Sequence, residues 1–191
     1  MYCSYNGLAL IELCDYPQYP QYARAILLLW NPSTRESIVL PRTEFSLTKD
    51  YSCGLGYDST SDNYKILMID DAAHCEILAL KSGSWRKIDK RPSGVSPVLS
   101  DTEDSGAFVH GAFHWLDSLL KNSLISFRIS NEVYGEIPLP EGMSLVFNVN
   151  CINGVSALEG MLCVYSTHIR RGIHTFKLWI LKDYDVKECW N

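Results

Sequence analysis

Apolar residues along this chain come in short runs, each ended by a cluster of Gly, Pro, Asn, Asp or Ser. The runs are rich in Val, Ile, Leu, Tyr, Phe and Trp, which fit a pleated, half-buried surface. They predict strands at Tyr64–Ile69, Glu76–Leu80, Leu124–Ile129 and Thr175–Ile180. No stretch of a dozen residues keeps a clean 3.6-residue apolar period with caps, so helices are not expected. The pattern predicts an all-β chain.

The runs repeat. A glycine beside apolar residues recurs at Gly7-Leu8-Ala9-Leu10, Gly54-Leu55-Gly56-Tyr57, Gly111-Ala112-Phe113-His114-Trp115 and Gly160-Met161-Leu162-Cys163-Val164. A second strand follows about twenty residues later, at Ala25–Trp30, Glu76–Leu80, Ile125–Ile129 and Phe176–Ile180, and a turn with a last strand closes each unit. Aligned on Arg35, Arg86, Gly135 and Glu188, the steps are 51, 49 and 53 residues. A period near ~50 with three or four short strands per unit is that of kelch-like propeller blades. One small sheet cannot cover both its faces, so stacked sheets must share a core. Trp85, Tyr134 and Trp190, near the closing strands, are expected between blades. Leu40-Pro41 and Pro138-Leu139-Pro140 suit strands leaving a sheet edge, where no ladder donor is needed. The expected architecture is a β-propeller-like array of about four kelch-like blades over residues 1–191, bounded near 1–45, 46–95, 96–145 and 146–191. With four units visible, an incomplete ring is expected.

Composition narrows the function classes. Seventeen Lys and Arg against twenty-two Asp and Glu give a net charge of −5, with no basic run, so a nucleic-acid partner is not expected. The longest apolar run, Ala25–Trp30, is far short of the ~20 residues of a spanning helix, and the N-terminus lacks a signal-peptide pattern. No membrane association is expected. Seven scattered cysteines, with no C-x-x-C and no N-x-[ST] acceptor, fit reduced thiols in a cytoplasmic or nuclear protein.

Several blocks together resemble the F-box-associated interaction domain of plants. They are Trp30-Asn31-Pro32-Ser33-Thr34-Arg35-Glu36, the run from Gly54 through Tyr57-Asp58-Ser59-Thr60-Ser61-Asp62-Asn63-Tyr64-Lys65-Ile66, and Ser84-Trp85-Arg86. Gly111–Leu116, Ile125-Ser126-Phe127 with Glu136–Pro140, and Leu178–Tyr184 with Glu188-Cys189-Trp190 complete the set in the family's order. The resemblance implies a non-catalytic protein-interaction module, the substrate-recognition region of an SCF-type ubiquitin ligase. Its partner would be a target protein, with the Skp adaptor and cullin joining only if an F-box lies upstream. No F-box precedes Tyr2, so a decoy or relic that binds targets without ubiquitination is the alternative reading. A propeller glycan binder or hydrolase is the alternative from another class.

Searches for chemistry return little. There is no G-x-S-x-G nucleophile elbow, and Gly54-Leu55-Gly56 lacks the rest of a phosphate loop; those glycines instead suit a sharp turn and close packing. His110 and His114 are four apart in an expected strand, where four residues span ~13 Å, too far to share a metal. No enzyme activity, cofactor or metal is therefore expected. Three loops are candidates for partner contact. Tyr16, Tyr19 and Tyr22 sit in a Tyr/Pro-rich segment with the rigid amphipathic character of interface hot spots. Asp70 and Asp71 with His74 form an acidic loop. His168, Arg170 and Arg171 belong to an expected basic loop, Thr167–Gly172, suited to an acidic or phosphorylated target.

Overall fold

A computed structural model describes residues 3–15, 24–43, 51–70, 74–88, 106–116, 122–143, 151–184 and 189–191. Among these residues there is no helix, and the chain is all-β, built from four antiparallel sheets. Sheet 1 contains β1 (Cys3–Tyr5), β2 (Leu8–Asp15), β3 (Arg24–Asn31) and β4 (Glu36–Val39). Sheet 2 contains β5 (Tyr51–Asp58), β6 (Asn63–Asp70), β7 (Cys75–Ala79) and β8 (Ser84–Lys87). Sheet 3 contains β9 (Ala107–Val109), β10 (Ala112–Leu116), β11 (Ser123–Arg128) and β12 (Val133–Pro138). Sheet 4 contains β13 (Cys151–Leu158), β14 (Met161–Arg170) and β15 (Ile173–Ile180). Every sheet runs up and down in chain order, as propeller blades do. The runs expected as second strands of each unit are the third strands, β3, β7, β11 and β15. Three of the repeats, those with Gly7, Gly111 and Gly160, open one strand earlier than the glycines suggest.

Turn chemistry fixes the register. Asn6-Gly7, His110-Gly111, Glu159-Gly160 and Arg171-Gly172 each hold two consecutive positive φ angles, the signature of two-residue type I′ hairpins. A second type spans four residues and ends in the left-handed region, at Arg35, Asp62, Gly83 and Glu132. Gly54 departs from the expected pattern. It lies inside β5, paired with Leu67, so it makes no sharp turn. The hairpin that corresponds to Gly7 in sheet 2 is the four-residue type, over Ser59–Asp62. There Asp58 accepts from Thr60 N (3.0 Å) and Ser61 Oγ (2.7 Å) and pairs with Lys65 Nζ at 2.8 Å. Desolvation would raise its pKa, but Lys65, Ser61 and the Thr60 amide outweigh that and hold it at about 2.

The described contacts divide into two compact units. One comprises Met1–Arg91 with Leu99–Ser105, the other Pro92–Val98 with Gly106–Asn191. In the first, sheets 1 and 2 share a core. Leu10, Leu27 and Leu29 on one side meet Cys53, Leu55, Ile66, Met68 and Leu78 on the other, as period-2 alternation dictates. In the second, Ala107, Val109, Leu116 and Leu124 of sheet 3 meet Val155, Leu162, Val164 and Leu181 of the fourth repeat. The same bond closes both pairs. The Trp85 indole N–H donates to the Pro41 carbonyl, and that of Trp190 donates to the Pro138 carbonyl, each at 2.8 Å. A proline at or just past the end of the preceding sheet's last strand (Pro138 ends β12, Pro41 follows β4 by two residues) offers its carbonyl to the next repeat's tryptophan. Trp190 reaches this position because Ile180 and Asn191 exchange backbone bonds, a rudimentary fourth strand for sheet 4. Tyr134 behaves differently: its ring packs on Phe127 and Trp115 of its own sheet.

Candidate functional site

Sheet 4 contains the longest described strand, β14, whose 10 residues run between β13 and β15 of 8 each. On the inward face, the row Val155–Val164–Trp179 and Leu162 are apolar and belong to the shared core, while Ala157, opposite Leu162, is exposed. Farther along, the same face turns polar: Asn153–Ser166–Lys177, then Cys151–His168–Thr175, then Arg170. Ser166 Oγ lies 2.7 Å from His168 Nε2, and Cys151 Sγ lies 3.9 Å from both. The Cys151 thiol also points at Asn153 Oδ1, 3.8 Å away. The hairpin ends at Arg170 and Arg171, both exposed.

The outward face of the same hairpin is apolar and open. Phe176 is 63 % exposed, and Leu178, Ile152 and Leu158 are also exposed. Tyr165 crosses over Gly154 so closely that a Cβ there would stand 2.3 Å from its ring. That glycine is required by the close approach, and it lets Tyr165 stack on Phe176 with centroids 6.0 Å apart. The result is an aromatic shelf flanked by aliphatic side chains; Arg171 sits in the turn at the hairpin tip, and Arg170 projects there from the opposite face of β14. Large aromatic surface beside Arg is the composition of interface hot spots.

The sequence candidates fare unevenly. Tyr16, Tyr19, Tyr22 and Asp71 lie outside the described residues. Asp70 ends β6 opposite Tyr51, and His74 is exposed just before β7. The expected basic loop Thr167–Gly172 is instead strand through Arg170, and only Arg171-Gly172 forms the turn. A two-residue I′ turn needs no loop, which is why the basic residues project from a hairpin tip. His168 and Arg170 share one face of β14; His168 is half-buried and engaged with Ser166. Sequence reading missed Tyr165 and Phe176. The alternation in Phe176–Ile180 marks two faces, but it does not say which one another sheet covers.

His110 and His114 serve the fold. His114 is fully buried on β10. Its Nδ1 faces the Ala107 carbonyl at 3.3 Å, which can only accept, so Nδ1 carries the proton and Nε2 accepts from Tyr184 O–H at 2.6 Å. Burial lowers its pKa to about 4, against a smaller upward pull from the Ala107 carbonyl. His110 occupies the turn, its ring 5.2 Å from that of Tyr184. Among the described residues no group of three His, Cys, Asp or Glu side chains could hold a metal ion.

Comparison with known proteins places these features in a family. The model for the F-box associated beta propeller domain matches residues 6–191. The F-box protein CPR1 of Arabidopsis thaliana is 25% identical over 86% of this chain and 46% of its own length. An F-box/kelch-repeat protein of the same plant is 30% identical over 86% of this chain and 46% of its own length. For a putative F-box only protein 15, also of Arabidopsis thaliana, the figures are 28%, 78% and 39%. The chain thus spans less than half the length of these relatives. The repeat, the four meander sheets and the match along nearly the whole sequence agree: this chain belongs to the F-box associated beta propeller domain family.

Proposed function

We propose that this chain is a non-catalytic target-recognition module, the part of an F-box protein that grips the protein to be ubiquitinated. Family membership supports the class of function. The observation that carries the choice of surface is the β14–β15 hairpin, with its open Tyr165–Phe176 shelf and its Arg170-Arg171 tip. A fitting target segment has one or two apolar side chains to cover the shelf and a carboxylate or phosphate at the hairpin tip, where Arg171 sits in the turn and Arg170 at the end of β14. An F-box joined to this module would recruit the Skp adaptor and cullin; the module supplies the grip. Work in the cytoplasm or nucleus goes with this reading.

The test is quantitative affinity capture from plant cells with the wild-type chain and with Arg170→Ala/Arg171→Ala/Phe176→Ser, each tagged and matched for expression. The expected result is a set of proteins enriched with the wild type and depleted about tenfold or more with the variant. Equal recovery with both chains would remove the hairpin from the binding surface.

A further inference from the structure

β1 and β5 run beside each other although they belong to different sheets with no ladder between them. Each turns a cysteine into the core shared by sheets 1 and 2. Cys3 stands opposite Leu10 on β2, and Cys53 opposite Met68 on β6, all on the faces that meet. Cys3 packs against the same cluster that holds Cys53, and it is the neighbour that does most to raise the Cys53 thiol. Cys53 is buried, 3% exposed, while Cys3 is only half-buried at the edge of the core.

We propose that Cys3 and Cys53 are a disulfide-forming pair, which a peroxide oxidises to a covalent tie between the first strand of sheet 1 and the first strand of sheet 2. Cys3, the more open sulfur, attacks the peroxide; its O–O bond breaks, leaving a Cys3 sulfenic acid and one water. The Cys53 sulfur then displaces the hydroxyl. The S–S bond forms, the S–O bond breaks, and the Cys53 proton leaves with the hydroxyl as a second water. Two thiols have lost two electrons and one peroxide has become two waters. The order of events follows from the surroundings. The neighbouring Cys3 side chain first, then burial, and the nearby Glu12 carboxylate push the Cys53 thiol up, so it keeps its proton and acts second.

Cys75 lies on the opposite face of sheet 2 from Cys53, Cys163 donates toward the Met161 carbonyl, and Cys151 faces Ser166, Asn153 and His168. A tie between positions 3 and 53 closes a long loop and restricts the unfolded chain, so oxidation raises thermal stability.

The experiment treats the purified full chain with hydrogen peroxide and reads intact mass, non-reducing peptide maps and melting temperature. The account predicts loss of two hydrogens, a Cys3–Cys53 linked peptide, a Tm rise of several degrees, and reversal of all three by dithiothreitol. Cys3→Ser, at the half-buried position, keeps the fold and loses the linked peptide and the Tm rise, while Cys75→Ser keeps both. Maps that show sulfinic acid at Cys3 with Cys53 still a free thiol, or linked peptides that exclude either cysteine, would overturn the proposal.

Discussion

Sheets 2 and 3 bury both faces, whereas sheets 1 and 4 each leave one apolar face open. In sheet 2, Leu67, Ile69 and Ile77 are as buried as the core residues on the other side, and in sheet 3 so are Phe113, Ile125 and Phe127. In sheet 1 the row Leu13–Ile26 and Val39 are exposed, and in sheet 4 Ile152, Phe176 and Leu178 are. The four sheets share the same up-and-down strand order, so the exposed faces do not arise from a different topology. Similar apolar strands thus differ in exposure: those of sheets 2 and 3 are buried on both faces at these positions, and those of sheets 1 and 4 are exposed on one.

The sharpest way to break this comparison is to truncate matched residues. Phe127→Ala should lower stability by roughly 3–5 kcal/mol and Ile77→Ala by roughly 2–5, because each leaves a cavity in a packed interior. Phe176→Ala and Val39→Ala should stay within about 0.5 kcal/mol, since exposed side chains lose little. Urea denaturation of the four variants checks this. A large cost at Phe176 would mean that the shelf is core.

Acid sharpens the comparison between the two shared cores, because only that of sheets 3 and 4 contains a buried neutral histidine. The folded pKa of His114 is depressed to about 4 from an ordinary 6.5. Its contribution is therefore complete above pH 6.5 and is lost as pH falls toward 4, by about 3 kcal/mol over that window. Asp58, with a folded pKa of about 2, adds its own loss only below its ordinary value of 3.8. Melting curves between pH 7 and 4 should show the decline, and His114→Leu should flatten it. A wild-type curve flat to pH 4 would contradict the assignment.

The smallest effect concerns what the two cores have in common. Trp85→Phe and Trp190→Phe each remove one indole donor from a proline carbonyl, so each should cost about 1 kcal/mol in chemical denaturation. A cost at one position only would show that the closures are not equivalent.

Much of this arrangement could be read from the residues. The closing Trp85 and Trp190 and the prolines at 41 and 138 stood out as pieces of one repeat, and the structure joins them by the same bond. First strands were harder. β1 and β9 have three residues each, too short for a periodic signal, and Gly54 looks like a turn although it lies in β5. The shelf was hidden for a different reason. Whether Phe176 or Trp179 faces a neighbouring sheet depends on what that sheet covers, and local alternation contains no such information. Gly154 gave no hint either, because its need to be glycine comes from Tyr165 on the next strand.

The central claim is that the sheet 4 hairpin is the gripping surface. Its most direct test is calorimetric titration of a captured target into the wild-type chain and into Arg170→Ala/Arg171→Ala/Phe176→Ser, with melting temperatures measured alongside. The account predicts Kd weakened about tenfold or more with Tm nearly unchanged. An unchanged Kd in a variant that melts normally would contradict it.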